Sequence, residues 1–382
     1  MTGDGPVSGR SARITHLDAL RGALMLLGVV IHSAFVFITE ERWLLASSAV
    51  SPVFDYLVLS IHVFRMPAFY LLSGFIFALV LVRSSSIPFM RSRCERILIP
   101  LFTAGLILNL FQMELFEVFG DGEGDYSVNP NTCDSLQRVF AGCWKIHLWF
   151  LVVLFYYFLI GWPVVRLLQR FPVLPLYGPG SVRWVVTIAF LVVFTQVVFT
   201  LSYRGFFDFI YYLPLLSDPK FFQYLPFFFL GVFLKFSSDG LEKWTQFGWF
   251  ALIVFIASWV VFLWGFNHEE YSISEYVRGG RYQLWLSYAL ALQTAGFLIV
   301  LASRLPTISP ARAAYISDAS YTIYLVHHVM VFVFAVWLTT SNLPVGVQFA
   351  SILVSASLVS WVVHHYLVRT NRFGSLIMNG RY

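Results

Sequence analysis

Apolar residues in this chain come in long blocks, and polar ones gather in the gaps between them. The blocks fall at 17–39, 55–82, 97–117, 147–168, 183–203, 221–236, 246–266, 283–303, 319–340 and 345–367. Each approaches the roughly 20 residues that a helix needs to cross a bilayer. The pattern predicts an all-α polytopic membrane protein with about ten transmembrane helices. The sixth block, YLPFFFLGVFLKF, is short and follows the apolar GFFDFIYYLPLL, so 204–236 reads as a tilted, broken or re-entrant segment. One transmembrane domain over 13–370 is expected, with a flexible tail at 1–12 and a short tail at 371–382, both cytoplasmic.

The gaps give the orientation. With the N-terminus inside, inner segments collect most of the arginines, among them Arg83, Arg91, Arg93, Arg96, Arg166 and Arg369. Outer loops carry fewer basic residues and the acidic run Asp121, Glu123, Asp125. The bias places both termini in the cytoplasm. Composition agrees, with 58% hydrophobic and 12% charged residues and a mean hydropathy of +0.74. The run after Ala12 is too long for a removable signal and lacks a small-residue cleavage pattern. Basic residues form no stripe, which argues against a nucleic-acid partner. Cys94 falls on the inner side, while Cys133 and Cys143 share an outer loop and either pair or stay free. With no CxxC, HExxH or glycine-rich phosphate loop, neither a metal site nor a permanently bound cofactor is expected.

Chemistry enters with charged groups inside the apolar blocks, which are costly in lipid and seldom accidental. The first block reads LDALRGALMLLGVVIH, and its Arg21 and His32 are eleven positions apart. At about 100° and 1.5 Å per residue they share one helix face roughly 16 Å apart. Asp18 precedes Arg21 on nearly the same face, and Gly28 forms a notch between Arg21 and His32. Snorkelling accounts for Arg21 taken alone, and interhelix packing for a lone histidine. Aligned behind an aspartate and a glycine, the two suit opposite ends of one long molecule lying in one tunnel.

Further helices add to the set. IHVFRMPAFYLLSGF places His62 and Arg65 one turn apart, with Asp55 as the local ion-pair candidate and Ser73 deeper. SDASYTIYLVHH aligns Ser320, Tyr324 and His327 at helical spacing. KIHLWFL opens a helix with His147 and Trp149 at the outer surface. His364 and His365 near the last inner end suit a headgroup contact. Trp43, Trp144, Trp149, Trp264 and Trp285 lie near outer ends, as an interfacial belt or as rings for stacking on sugars.

Taken in order, Arg21 and His32, FRMPAFYLLSGF, the RxxR of Arg93 and Arg96, HLWFL, YLPFFFLG and SYTIYLVHH make the chain resemble the acyltransferase 3 family of integral membrane acyltransferases. LDALRGALMLLGVVIH, YLPFFFLG and IYLVHH are most similar to its glucan biosynthesis protein C branch. The resemblance implies a bacterial inner-membrane O-acyltransferase. It would move an acyl group, succinyl or acetyl, from cytosolic acyl-CoA to hydroxyls of an extracytoplasmic glycan such as an osmoregulated periplasmic glucan. The tail before Ala12 and the loop Gly120 to Asp134 lie outside the resemblance.

On that view Arg21, Arg91, Arg93 and Arg96 bind the anionic end of coenzyme A, since guanidinium forks suit phosphate. The pantetheine arm lies along Gly28, and His32 is the general base on the acceptor hydroxyl. Arg65 holds a succinyl carboxylate or the tetrahedral oxyanion. His62, Ser73, His147, Trp149, Tyr324 and His327 position the substrates, and Asp18 completes the catalytic set with Arg21 and His32. Intramembrane His, Arg and Asp also build proton-coupled transporters. That alternative lacks a recognisable internal repeat.

Overall fold

The structure is a computed structural model. It describes residues 8–39, 49–120, 142–171, 220–237, 249–268, 284–306 and 308–381, with isolated positions at 45, 47, 194, 197, 201, 205, 213, 215, 216 and 241. Every regular element among these is helical: α1 (Ser8–Phe35), α2 (Pro52–Leu81), α3 (Ser86–Pro100), α4 (Leu106–Phe119), α5 (Trp149–Leu168), α6 (Lys220–Phe236), α7 (Trp249–His268), α8 (Leu284–Arg304), α9 (Pro310–Leu338), α10 (Val345–Val362) and α11 (Arg372–Asn379). A π-helical turn (Leu101–Gly105) joins α3 to α4, a 3₁₀ segment (Cys143–Leu148) leads into α5, and a second π turn (Val363–Val368) prolongs α10.

Among the described residues, seven stretches are long and apolar enough to cross a membrane: 15–35, 52–81, 87–119, 144–168, 286–304, 310–338 and 345–368. The shorter apolar helices α6 and α7 match the sixth and seventh expected blocks. The block at 183–203, and with it the expected total, lies outside the described residues, as do Cys133 and the side chain of Cys143. The RxxR arginines sit on α3, a helix continuous with the third span and not a connecting loop.

The core is built around α2, which packs against α1, α6 and α8. Pro52 starts it where no intrahelical donor is lost. Asp55, buried in the next turn, accepts the Thr39 backbone N–H at 2.8 Å and the Thr39 hydroxyl at 2.5 Å. The carboxylate thereby ties the exit of the first span to the entry of the second. It is spent there and does not pair with Arg65, which lies ten residues, or about 15 Å, further along the helix. Gly74 and Gly231 let α2 and α6 touch backbone to backbone: a Cβ at Gly74 would strike the Phe228 carbonyl, and one at Gly231 the Leu71 carbonyl. Close approach at small residues is how helices gain contact in lipid, where apolar burial offers little.

α9 packs along α1 and α10. Buried Thr322 accepts from His364 Nδ1 at 2.9 Å and donates to Asn379 Oδ1 at 3.0 Å, joining α9, the second π turn and α11. His364 is therefore an internal partner and not a headgroup contact, while His365 stacks on Trp361 with ring centroids 5.2 Å apart.

Candidate functional site

Four residues of α1, each about one turn after the last, define the site: Arg21, Met25, Gly28 and His32. Arg21 and Met25 line a cavity of about 120 Å³. Its mouth carries Arg21, Arg93, Arg96 and Arg381 with Asp318, and its far end is apolar, with Phe69 and Phe150. Arg21 is held by Asp18 at 3.4 Å and donates to Ser317 Oγ at 3.4 Å. Ser73 also lines the space, and its buried Oγ has no hydrogen-bond partner among the described residues.

Arg93 and Arg96 point together because three residues on a helix return to nearly the same face. Arg91 does not join them. Its side chain is 77% exposed and pairs with Glu95 at 2.8 Å on the far side of α3, which corrects its expected place among the cavity arginines. Asp18 belongs to Arg21 and lies fourteen residues, about 21 Å, from His32, so it orients the arginine and does not touch the reacting end.

The notch at Gly28 is filled. A Cβ there would lie 2.7 Å from Arg65 Nη1 and 3.0 Å from the Tyr324 ring. The small residue admits a guanidinium and a ring between Arg21 and His32, so the tunnel expected along this face is interrupted for one helix turn. Arg65 is only 5% exposed, and among the described residues neither its Nε nor its Nη1 has a hydrogen-bond acceptor. An arginine in this condition inside a membrane protein is a functional candidate.

Above this plug His32 meets three other imidazoles. Its ring centroid lies 4.6 Å from His328, 5.3 Å from His327 and 6.4 Å from His147. His147 and His328 stack face to face at 4.4 Å. Neighbours fix most of the ring orientations. The Tyr324 carbonyl accepts from His147 Nε2 at 3.1 Å and from His327 Nδ1 at 2.8 Å. A carbonyl only accepts, so each nitrogen carries the proton and the opposite one is a lone-pair acceptor. Those opposite atoms, His147 Nδ1 and His327 Nε2, are buried and have no partner among the described residues. His328 Nδ1 faces the Gln112 amide nitrogen at 2.5 Å and accepts from it. Among the described residues no three metal-capable side chains are placed to hold a metal ion.

Backbone strain helps to place His147. The preceding Ile146 has φ 38° and ψ −114° inside the 3₁₀ segment. A β-branched residue rarely adopts positive φ, and such strain concentrates at functional sites.

Of the remaining expected residues, His62 is half-buried one turn from Arg65 on α2. Trp149 stacks on Tyr224 at 5.8 Å, with Lys220 Nζ 4.7 Å from its ring centre. Trp264 is exposed, whereas Trp144 is buried against Phe102 and offers no face to a sugar. Trp43 and the Trp285 side chain lie outside the described residues. Sequence reasoning left out His328, Gln112 and Arg381. The pair HH in IYLVHH was the signal for the first; nothing local marked the other two.

A family model described as an acyltransferase domain, acyltransferase 3, matches residues 14–365. Glucans biosynthesis protein C of Salmonella schwarzengrund (strain CVM19633) is 27% identical over 349 residues, covering 86% of this chain and 85% of its own. The protein of the same name from Salmonella typhi shows the same identity and coverage. No solved structure matches the chain.

Proposed function

The chain belongs to the acyltransferase 3 family, and from that membership we propose that it carries an acyl group from cytosolic acyl-CoA to a hydroxyl of an extracytoplasmic glucan. It is a multi-pass membrane O-acyltransferase, and the transporter alternative gives way to that membership. The name of the Salmonella relatives supports a glucan as acceptor and the bacterial inner membrane as location.

The observation that carries the reading is the order of groups along α1: an arginine-lined cavity, then a buried guanidinium at Gly28, then the imidazoles. The nucleotide end of acyl-CoA sits at Arg21, Arg93 and Arg96, and Ser73 takes a polar group of the pantetheine arm. The arm extends past Met25 and Phe69 when the Arg65 side chain swings off Gly28. The acceptor hydroxyl enters from the opposite end and gives its proton to His32. Its oxygen attacks the thioester carbonyl, and Arg65 stabilises the tetrahedral oxyanion. On collapse the C–S bond breaks, the sulfur takes the proton back from His32, and the products are an O-acyl glucan and free coenzyme A.

Arg65 also supports succinyl over acetyl as the acyl group. Its buried guanidinium has no carboxylate partner among the described residues and gains one when the acyl chain ends in a carboxylate. His147, His327 and Tyr324 hold the imidazole cluster in register.

The test uses purified protein in lipid vesicles with radiolabelled succinyl-CoA or acetyl-CoA and a β-glucan. Wild type transfers label and His32→Ala does not, with succinyl preferred. Equal transfer by both proteins removes His32 from the reaction, and no transfer by wild type sinks the donor and acceptor assignments.

A further inference from the structure

The C-terminal segment, expected as a short tail, forms part of the cavity wall. α11 docks on α3 and on both π turns. Thr103 donates to the Ile377 carbonyl at 2.6 Å, and Thr322 to Asn379. The helix ends on Gly380, whose φ of 59° is the left-handed cap that glycine adopts without strain. The chain passes so close to α3 there that a Cβ would strike the Glu95 carbonyl and Arg96 Cα. This approach delivers Arg381 to the cavity, where it pairs with Asp318 beside Arg21, Arg93 and Arg96.

The charge balance of the lining is uneven. Four guanidinium groups face one lining carboxylate, Asp318, and Arg21 has Asp18 as well. Three of the four come from α1 and α3, which are fixed in the bundle. The fourth is carried by an eight-residue helix at the chain end. The one carboxylate among the described lining residues is thus already claimed by Arg381, while the described lining as a whole remains short of anions.

We propose that Arg381 is a phosphate ligand of the donor site, exchanging Asp318 for a phosphate group when acyl-CoA enters. The inference rests on acyl-CoA being the donor and adds the chain terminus to the residues that bind it. A multidentate guanidinium cluster is suited to a ligand with several phosphate groups. Asp318 then acts as the internal anion that keeps Arg381 oriented in the empty cavity and competes with the ligand for it.

The two partners therefore have opposite effects on donor affinity. In the full-length protein in vesicles, Arg381→Ala raises KM for succinyl-CoA about tenfold, the scale of one lost charge-assisted hydrogen bond, and Arg381→Lys recovers part of it. Asp318→Asn lowers KM several-fold. With succinyl-pantetheine, which has the thioester but no phosphate, neither substitution changes KM. If Arg381 only staples the chain end to α9, Arg381→Ala and Asp318→Asn impair both donors alike, which overturns the proposal. An unchanged KM for succinyl-CoA in Arg381→Ala also overturns it. A wild-type protein that uses succinyl-pantetheine as well as succinyl-CoA removes the nucleotide from recognition and sinks the donor reading together with this one.

Discussion

Tyr324 and His147 hold each other from both ends. The Tyr324 hydroxyl donates to the His147 carbonyl at 3.1 Å, and His147 Nε2 donates to the Tyr324 carbonyl at 3.1 Å. The pair clamps the strained start of α5 onto the middle of α9, and the same Tyr324 carbonyl orients His327. Tyr324→Phe removes one half of the clamp and leaves a buried carbonyl unsatisfied, at a cost of about 1–3 kcal/mol. The expected result is a lower thermal midpoint and a transfer rate reduced about 10- to 100-fold, since displaced catalytic groups lose rate steeply. Melting and label transfer on the same preparation check both.

The tautomers of the two rings are opposite. His147 carries its proton on Nε2 and His327 on Nδ1. Nitrogen-15 spectra of imidazole-labelled protein, assigned with His147→Gln and His327→Gln, should show one ring of each kind. Two rings of the same tautomer would contradict the shared carbonyl.

Arg65 separates stability from activity. Its guanidinium is buried with two nitrogens lacking acceptors among the described residues, so replacing it by a neutral group relieves the structure. Arg65→Gln is expected to raise the thermal midpoint while lowering transfer at least 100-fold, with succinyl affected more than acetyl. A parallel fall in stability and rate would mean that Arg65 holds the bundle together.

Gly28→Ala tests the plug directly. The added methyl meets Arg65 Nη1 and the Tyr324 ring at or inside contact distance. Arg65, the flexible partner, is displaced, and the variant is expected to fold normally while transferring acyl groups about tenfold or more slowly. Label transfer together with size-exclusion profiles in detergent distinguishes this from misfolding.

The arginines of α3 differ in weight. Arg96→Ala should weaken binding of coenzyme A about tenfold, as for a lost charge-assisted contact. Arg91→Ala should leave it unchanged, because Arg91 faces outward to Glu95. Equilibrium binding of coenzyme A to the two variants provides the comparison.

How far the sequence could be read follows from which interactions are local. Arg21, Gly28 and His32 share a face by helical geometry alone, and the structure finds them in that order on α1. The meeting of Arg93 with Arg96, and the exclusion of Arg91, obey the same spacing and were open to the same argument. What fills Gly28 was not legible, because Arg65 and Tyr324 arrive from α2 and α9. His328 was passed over for its neighbour, since choosing between adjacent histidines requires knowing that Gln112 of α4 faces the second. Arg381 looked like the end of a tail. Phe373, Leu376 and Ile377 at helical spacing before Gly380 were the available signal for a docked helix.

The backbone contacts at Gly74 and Gly231 have a bearing on how turnover proceeds. With those two backbones in touch, α2 cannot slide or rotate against α6 without collision. The stem of Arg65 is accordingly anchored to a stationary post, and only its long side chain is left to move. In the proposed reaction, passage between the two halves of the membrane would then work like a turnstile whose arm swings on a fixed column, with no rocking of the column itself.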